Sequence, residues 1–392
     1  MDNTGYFERQ NLVISKETSE KIYSAKILVI GVGAGGNEVL KNLALMGFGN
    51  FTLVDFDCIE KSNLSRTPLF KKEDIGKSKS EVASRSLLEF VLHNNPLIRS
   101  INAKIQDIGK KIFLEHNIVI CCVDTMDARI YINDLCVLLN IPLFEMGFEK
   151  YTIQISFFPN EIESDSCLRE LIGNSNFSGN RQSCSKLKIE DTNFNYIPTI
   201  QITSAFAGIF IAAEIILYFE GKSSLKNKML QYNAEFHKLL IVNIPQSNNC
   251  YIHNKNSISI FEKKIFKKED TFRDILNDLQ NTYKEDYYIK WDDEYIYSMN
   301  CEKCGNKIII KNFKSNVYDK ERWCSKCYPN YYDNMLPVSS EWKNISELNL
   351  FNPKHKFFLD LKLSDYNVKG NDFILAHNIK SPKIKKIVFI NK

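Results

Sequence analysis

Residues 26–36 read Lys-Ile-Leu-Val-Ile-Gly-Val-Gly-Ala-Gly-Gly, and this stretch decides the fold. The apolar run from Ile27 to Ile30 has the length and branched character of a buried strand. Behind it Gly31, Gly33 and Gly36 stand in the GxGxxG spacing, with Gly35 inside the same turn. That spacing lets a backbone turn tightly, approach a phosphate and present a helix N-terminus to the anion. Helical periodicity follows through Glu38, Leu40, Leu43 and Met46, and Gly47 is placed to end it. A second apolar run, Phe51 to Val54, closes on Asp55, where a carboxylate can accept hydrogen bonds from ribose hydroxyls. The expected unit is a right-handed βαβ crossover. Taken alone, it suits an NAD-dependent dehydrogenase as well as any other nucleotide-binding protein.

The residues beyond Asp55 argue for different chemistry. Asp57, Asn63, Arg66 and the segment Gly76-Lys77-Ser78-Lys79 follow at once. Hydride transfer needs no such array, whereas fixed cations beside a phosphate stabilise charge that develops during phosphoryl transfer. A Walker loop is excluded, because its first glycine would fall at position 71, which is lysine. Further on, a helix from Ser80 to Leu92 and a strand around Ile101 to Ile105 are expected, then the apolar strand Ile118 to Val123 ends at Asp124, and an acid at the carboxyl end of a parallel strand faces the ligand crevice. The alternative is that Asp124 caps a helix from Asp127 to Leu139. Cys121 and Cys122 lie within that strand and read as core.

Length and composition bound the rest. With 392 residues and 44% apolar content, the chain can bury one large core and a second smaller one. The net charge is only +4 with both signs interspersed, so a nucleic-acid partner is not expected, and Lys380 to Lys392 reads as a solvated tail. No signal peptide is evident at Met1 to Gly5. Eleven cysteines, four of them in Cys-x-x-Cys pairs, fit a reducing, cytoplasmic setting with bound metal better than a disulfide framework. The long apolar stretch Ile197 to Phe219 carries Gln201, Thr203, Ser204 and Glu214, and reads as a buried core or dimer helix instead of a membrane span.

The run VIGVGAGGNEVLKNLALMGFGNFTLVDFDCIEKSNLSRTPLF (29–70), followed by DIGKSKSEVA (74–83), resembles the adenylylating domain of the ubiquitin-activating superfamily, which includes the ThiF/MoeB adenylyltransferases. The resemblance covers about residues 5–255. It implies a Rossmann-like domain with a mainly parallel sheet that binds ATP and Mg²⁺. In that family the C-terminal glycine carboxylate of a small ubiquitin-fold protein attacks the ATP α-phosphate, giving an acyl-adenylate and pyrophosphate. Matched motif by motif, it implies Gly31, Gly33, Gly35 and Gly36 at the nucleotide, Asp55 on the ribose, Asn63 and Arg66 on the phosphates, and Lys79 on ATP. Asp57 is a further candidate there, and Asp124 the ligand of Mg²⁺. Arg9, within Glu8-Arg9-Gln10, stands where the family's arginine reaches into the partner subunit's site, which implies a homodimer.

Residues 160–196 form a long polar crossover with Cys167 and Cys184. Family members that form a thioester or persulfide use a cysteine here. Arg181, Lys186 and Lys188 around Cys184 favour a thiolate, so Cys184 reads as a catalytic nucleophile or as a plain exposed thiol. Many bacterial relatives hold zinc with Cys-x-x-Cys here and a second pair after residue 240. This chain has Ser164 with Cys167 and Cys250 with His253, so either three ligands still hold a metal or the site has decayed.

The second expected domain, 256–392, is α+β. Thr271 to Tyr283 is helical in pattern, with Phe272, Ile275, Leu276 and Leu279 on one face, and Tyr287 to Tyr297 reads as strands. Cys301-Glu302-Lys303-Cys304 and Cys324-Ser325-Lys326-Cys327 have zinc-ribbon spacing, placed at 299–330. Four thiolates leave no open position on Zn²⁺, so the site is structural, with a redox dithiol pair as the alternative. Strand-like runs at Lys356 to Leu361, Asp372 to Ala376 and Lys386 to Ile390 resemble carboxyl-terminal modules that dock partners.

The reading as a whole is an ATP-dependent activating enzyme for a ubiquitin-like or sulfur-carrier protein, with Cys184 able to capture the acyl group and a conjugating enzyme as a further partner. The alternative inside the superfamily adenylates a peptide, a sulfur-carrier protein or a modified tRNA base with no thioester step. Peptide-adenylating relatives carry a recognition module ahead of the first strand, and 25 residues precede Lys26 here. From other classes come a non-catalytic scaffold and an NAD-dependent oxidoreductase.

Overall fold

A computed structural model of the chain describes residues 5–161, 165–173, 199–247, 250, 252, 258–260, 266–313, 324–327, 340–366, 372–380 and 385–390. Two compact units emerge. One comprises Met1–Ile108 with Ile112–Asn254, the other Gly109–Lys111 with Lys255–Lys392.

The first unit is built on β1 (Lys26–Ile30), β2 (Asn50–Val54), β3 (Leu97–Ile101), β4 (Ile118–Cys121), β5 (Leu143–Glu149), β6 (Thr152–Phe158), β7 (Lys228–Asn233) and β8 (Lys238–Asn243). They form one sheet in the order β3-β2-β1-β4-β5-β6-β7-β8. The five strands from β3 to β5 run parallel, and β6, β7 and β8 continue antiparallel. After β1 the chain moves to one side through β2 and β3, then returns to the other side through β4 and β5. The carboxyl ends of β1 and β4 therefore splay open, which is where ligands bind in such sheets. Four of the five residues of β1 and all of β4 are buried, which explains their unbroken apolar runs.

The helices of this unit are α1 (Lys16–Ser24), α2 (Ala34–Leu45), α3 (Lys79–Leu87), the single turn α4 (Lys111–Leu114) apart from its first residue, α5 (Met126–Leu139), α6 (Leu168–Ile172) and α7 (Gln201–Phe219). Ser15 caps α1 and Ser78 caps α3, each accepting from a backbone N–H of the first turn. Helix α7 is long and apolar enough to cross a membrane by length and composition, yet half of it is buried in the fold. It packs on α2 so closely that a Cβ on Gly208 would come within 2.5 Å of the Glu38 Cβ. One oxygen of its buried Glu214, Oε1, accepts from the Leu225 N–H at 3.0 Å and from the Ser223 hydroxyl inside the core.

Two local expectations shift. The strand anticipated at Ile101 to Ile105 lies four residues earlier as β3, because the register Asn50↔Leu97 through Val54↔Ile101 places Leu97 to Ile101 beside β2. The displaced segment, Ala103 to Gln106, instead lines the ligand crevice. The helix anticipated from Ser80 to Leu92 is α3, which ends at Leu87 and passes into turns through Phe90.

The second unit contains β9 (Ile258–Ile260), β10 (Tyr287–Cys301), β11 (Lys307–Phe313), β12 (Ser340–Asn349), β13 (Asp372–Asn378), β14 (Lys385–Ile390), α8 (Phe272–Tyr283) and α9 (Lys356–Leu359). Its sheet has the order β11-β10-β13-β14-β9, and β12 also pairs with β10. Phe272, Ile275, Leu276 and Leu279 of α8 are fully buried against it. The stretch from Lys356, expected as a strand, is the helix α9, because Asn352-Pro353 starts a 3₁₀ turn that runs straight into it. The fifteen-residue β10 carries the first cysteine knuckle at its end and pairs with β12 and β13, so the cysteine hairpin and the final block share one sheet.

Candidate active site

The crevice at the ends of β1, β2 and β4 is a cavity of about 420 Å³. Three of the four glycines of the turn line its floor, and the four are glycine for different reasons. Gly31 has φ +90°, and a Cβ there would sit 2.6 Å from the Cys122 carbonyl oxygen. A Cβ on Gly36 would meet the Gly31 carbonyl oxygen at 2.2 Å, and one on Gly35 would meet the Met146 Sδ at 2.4 Å. These three are glycines because the turn is packed beneath strand ends. Gly33, the residue that caps α2, has no atom within 4 Å of the position a Cβ would take, so it leaves the helix N-terminus open to the cavity. Gly36 does not line the cavity, although the other three do.

Asp55 ends β2 and is nearly buried. Its Oδ2 accepts from the Val32 N–H at 2.7 Å and its Oδ1 from the Asp57 N–H at 2.9 Å, so the carboxylate pins the glycine turn while keeping lone pairs toward the cavity. Burial pushes its pKa up, opposed by the Lys79 ammonium and the two backbone donors. Lys79 opens α3 and pairs with Asp57 Oδ2 at 2.8 Å. Asp57 is half exposed and lines the same cavity, so it acts here as the partner that aims Lys79.

Asn63 and Arg66 come from the irregular segment between β2 and α3. Asn63 Oδ1 accepts from the Glu60 N–H at 2.9 Å, closing a capping box on a 3₁₀ turn. Arg66 Nη1 donates to the Ser62 carbonyl at 2.6 Å, and both residues line the cavity. Asp124 is exposed and lines the same cavity. It is not the helix cap, because Thr125 holds the N-cap of α5 and the helix begins at Met126. A carboxylate lining a cavity floored by an anion-binding turn fits a Mg²⁺ that takes its other ligands from phosphate oxygens and water.

Residues not singled out in the sequence hold this array. Buried Asn37 donates through Nδ2 to the carbonyls of Val32 at 2.7 Å and Gly33 at 3.0 Å, and its Oδ1 accepts from the Leu69 N–H at 3.0 Å. It thereby ties the glycine turn to the segment that carries Asn63 and Arg66. Buried Arg129 donates through Nε to the Val123 carbonyl at 3.0 Å and pairs with buried Glu145 on β5, fixing the strand end that presents Asp124. Burial raises the Glu145 pKa, against the pull of Arg129.

Other expected residues lie elsewhere. Arg9 is exposed and does not line its own chain's cavity. Cys184, with its neighbours Arg181, Lys186 and Lys188, lies outside the described residues, as do Ser164 and His253. Cys121 is buried, whereas Cys122 borders the cavity with its thiol pKa pushed up by burial. Cys167 and Cys250 are brought together, Sγ to Sγ 3.8 Å, beside the Glu170 carboxylate. Both Glu170 oxygens are already engaged, Oε2 by the Cys167 N–H at 2.8 Å and Oε1 by the Ser247 N–H at 2.6 Å.

In the second unit the four ribbon cysteines converge. Cys301 and Cys327 Sγ lie 3.8 Å apart, and Cys304 and Cys324 Sγ 3.6 Å. A tetrahedral Zn²⁺ with arms of about 2.3 Å has sulfur-sulfur edges of about 3.8 Å, so the set fits the ion. Gly305, at φ +69°, makes the turn after the first knuckle, and its N–H donates to the Cys301 carbonyl at 2.7 Å.

A phosphate-binding turn facing strand-end acids across the switch point of a mainly parallel sheet defines the class, a Rossmann-like nucleotide-binding α/β protein. The chain belongs to the ThiF family, whose model matches residues 7–252. It is 36% identical over 143 residues to the SUMO-activating enzyme subunit 2 of Dictyostelium discoideum, covering 36% of this chain and 22% of that protein. It is 42% identical over 119 residues to the NEDD8-activating enzyme E1 catalytic subunit of Caenorhabditis elegans, covering 30% and 27%. The matched region thus spans about a quarter of the length of these curated relatives. Among solved structures, E. coli MccB with ATP superposes with a TM-score of 0.53 at 23% identity, over 64% of this chain and 75% of that one. This likeness concerns the fold.

Proposed function

We propose that this chain is an ATP-dependent adenylyltransferase that activates the C-terminal glycine carboxylate of a ubiquitin-like protein. The observation that carries the reading is the convergence of Asn63, Arg66, Lys79 and Asp124 on one crevice around the open N-terminus of α2. Family membership and similarity to activating enzymes support it.

In the proposed reaction a carboxylate oxygen attacks the α-phosphorus of ATP in line, the bond to pyrophosphate breaks, and an acyl-adenylate forms. Asp55 accepts from the ribose hydroxyls. Arg66 and Lys79 present fixed positive charge to the phosphates, and Asp57 keeps Lys79 aimed, so little reorganisation is needed as charge builds. Asn63 supplies a neutral amide beside them. Asp124 would hold Mg²⁺, which supplies neutralisation of the triphosphate. Arg9 completes the site of a second copy in a homodimer. The Cys184 thiolate then attacks the acyl carbon and expels AMP, leaving a thioester for a conjugating enzyme. The cysteine ribbon holds Zn²⁺ as a structural ion.

Exchange of labelled pyrophosphate into ATP tests the first step, using a panel of ubiquitin-like and sulfur-carrier proteins, peptides and tRNA. Exchange that requires a ubiquitin-like protein with its terminal glycine is expected. No exchange with any substrate overturns the proposal, and exchange only with a peptide or tRNA reassigns the substrate. Cys184→Ala should abolish a reducible covalent adduct while keeping exchange. Mixing inactive Arg9→Ala and Arg66→Ala preparations should restore exchange, because one site in each mixed dimer is intact.

A further inference from the structure

Charge is unevenly divided along the chain. Residues 255–392 contain 25 Lys and Arg against 19 Asp and Glu, while residues 1–254 contain 26 against 28. The second unit is therefore basic, and 23 of its cationic residues are lysines.

Part of that charge is gathered on one aromatic side chain. The ammonium groups of Lys307, Lys343 and Lys311 lie 5.5, 5.8 and 5.9 Å from the ring centre of Tyr297. Lys343 also sits 3.0 Å from the centre of the Phe357 ring, which meets Tyr297 edge to face at 4.8 Å. The lysines come from β11 and β12, on either side of β10. A register shift between Ile296 and Ser298 marks a bulge at Tyr297, the kind of irregularity that re-aims a side chain. Lys311 itself takes the left-handed conformation, φ +53°.

Among the described residues the cluster is only partly neutralised. Lys311 pairs with Asp365 Oδ1 at 2.6 Å, whereas Lys307 and Lys343 have no ion-pair partner among the described residues. Desolvation first, and the Lys307 charge second, lower the Lys343 pKa. Exposed Ile309 and Phe357 supply apolar contact beside it. A partner bringing several carboxylates would complement the charge.

We propose that the face formed by Tyr297, Lys307, Lys311, Lys343 and Phe357 docks an acidic segment of a partner protein. Nucleic acid is disfavoured because base stacking needs an open ring face and Lys343 occupies that of Phe357. Arginine, the residue suited to planar phosphate and base recognition, is almost absent from the unit: Arg273 and Arg322 are its two examples, and Arg273 is tied to Asp360. The site lies wholly in the second unit and does not rest on the adenylation reading.

The test is fluorescence anisotropy of a labelled oligoglutamate titrated with the full chain in its zinc-loaded form, with oligoglutamine as the neutral reference. Binding of oligoglutamate alone is expected, weakening as salt rises to about 0.15 M. Lys307→Glu with Lys343→Glu should weaken it by about tenfold or more, and Lys307→Gln with Lys343→Gln by less. Lys267→Glu with Lys380→Glu, an equal charge change outside the cluster, should shift it by about twofold at most. Far-UV circular dichroism and zinc content confirm that the variants fold. Absence of binding, equal loss in the control pair, or tighter binding of a single-stranded oligonucleotide through the same lysines overturns the proposal.

Discussion

The side chain of Asn37 accepts a hydrogen bond from the backbone N–H of Leu69 at 3.0 Å, joining the glycine turn to a segment 32 residues away. Because Asn37 also satisfies the Val32 carbonyl, Asn37→Ala leaves a buried donor and a buried acceptor unpaired. The expected loss is about 2–4 kcal/mol, read from urea unfolding. A loss below about 0.5 kcal/mol, the level of an ordinary surface change, would contradict the structural role.

Arg129 and Glu145 form a buried ion pair beneath the strand end that carries Asp124. Arg129→Met strands a carboxylate in the core and should cost about 3–5 kcal/mol near pH 7. The pH dependence gives a second readout. Burial already raises the Glu145 pKa, and loss of Arg129 removes what opposes it. A carboxyl raised in the folded state binds its proton there more readily than in the unfolded chain, so stability is present below the unfolded pKa and is lost as pH rises through the folded one. The deficit of the variant should therefore shrink on acidification from pH 7 toward about pH 5. A deficit independent of pH would be the wrong outcome.

Lys79 is held by Asp57 at 2.8 Å on the cavity wall. Lys79→Met should lower pyrophosphate exchange by about a hundredfold. Asp57→Asn, which keeps the ammonium and loses only its aim, should lose about tenfold, following the weaker penalty for a displaced group. Stability should change by about 1 kcal/mol or less in both, since the pair is partly exposed. Equal activity in Lys79→Met and the unmodified protein would remove this lysine from the site.

The four ribbon cysteines should bind one zinc per chain. Chelation, or Cys324→Ser, should lower the melting temperature of the second unit, because a structural ion contributes folding energy directly. Metal analysis of the purified chain and calorimetry with and without chelator check this. A chain that is zinc-free and melts unchanged would return these residues to the dithiol reading.

The strand, turn and helix from Lys26 to Leu45, the second strand to Asp55, and the paired cysteines were legible without coordinates. Each is a local pattern in which spacing is the geometry: glycines in a tight turn, apolar runs in strands buried on both faces, and knuckles two residues apart. The amphipathic face of α8 was equally local. The placement of β3 was not, because an edge strand is chosen by register with its neighbour, and Leu97 to Ile101 are only partly covered.

What the sequence determined by itself was therefore the phosphate turn, the strand-end acids, the cations beyond them and the zinc-ligand spacing. The tertiary structure alone decided how they are held. Asn37 reads as one polar position in a helix until Leu69 arrives, and Arg129 as a surface charge until Glu145 is buried beside it. Three lysines on Tyr297 are scattered over 37 residues of sequence until β10 lies between β11 and β12. A polar side chain acquires its energy from the partner it meets and the water it loses, and both are set by long-range packing.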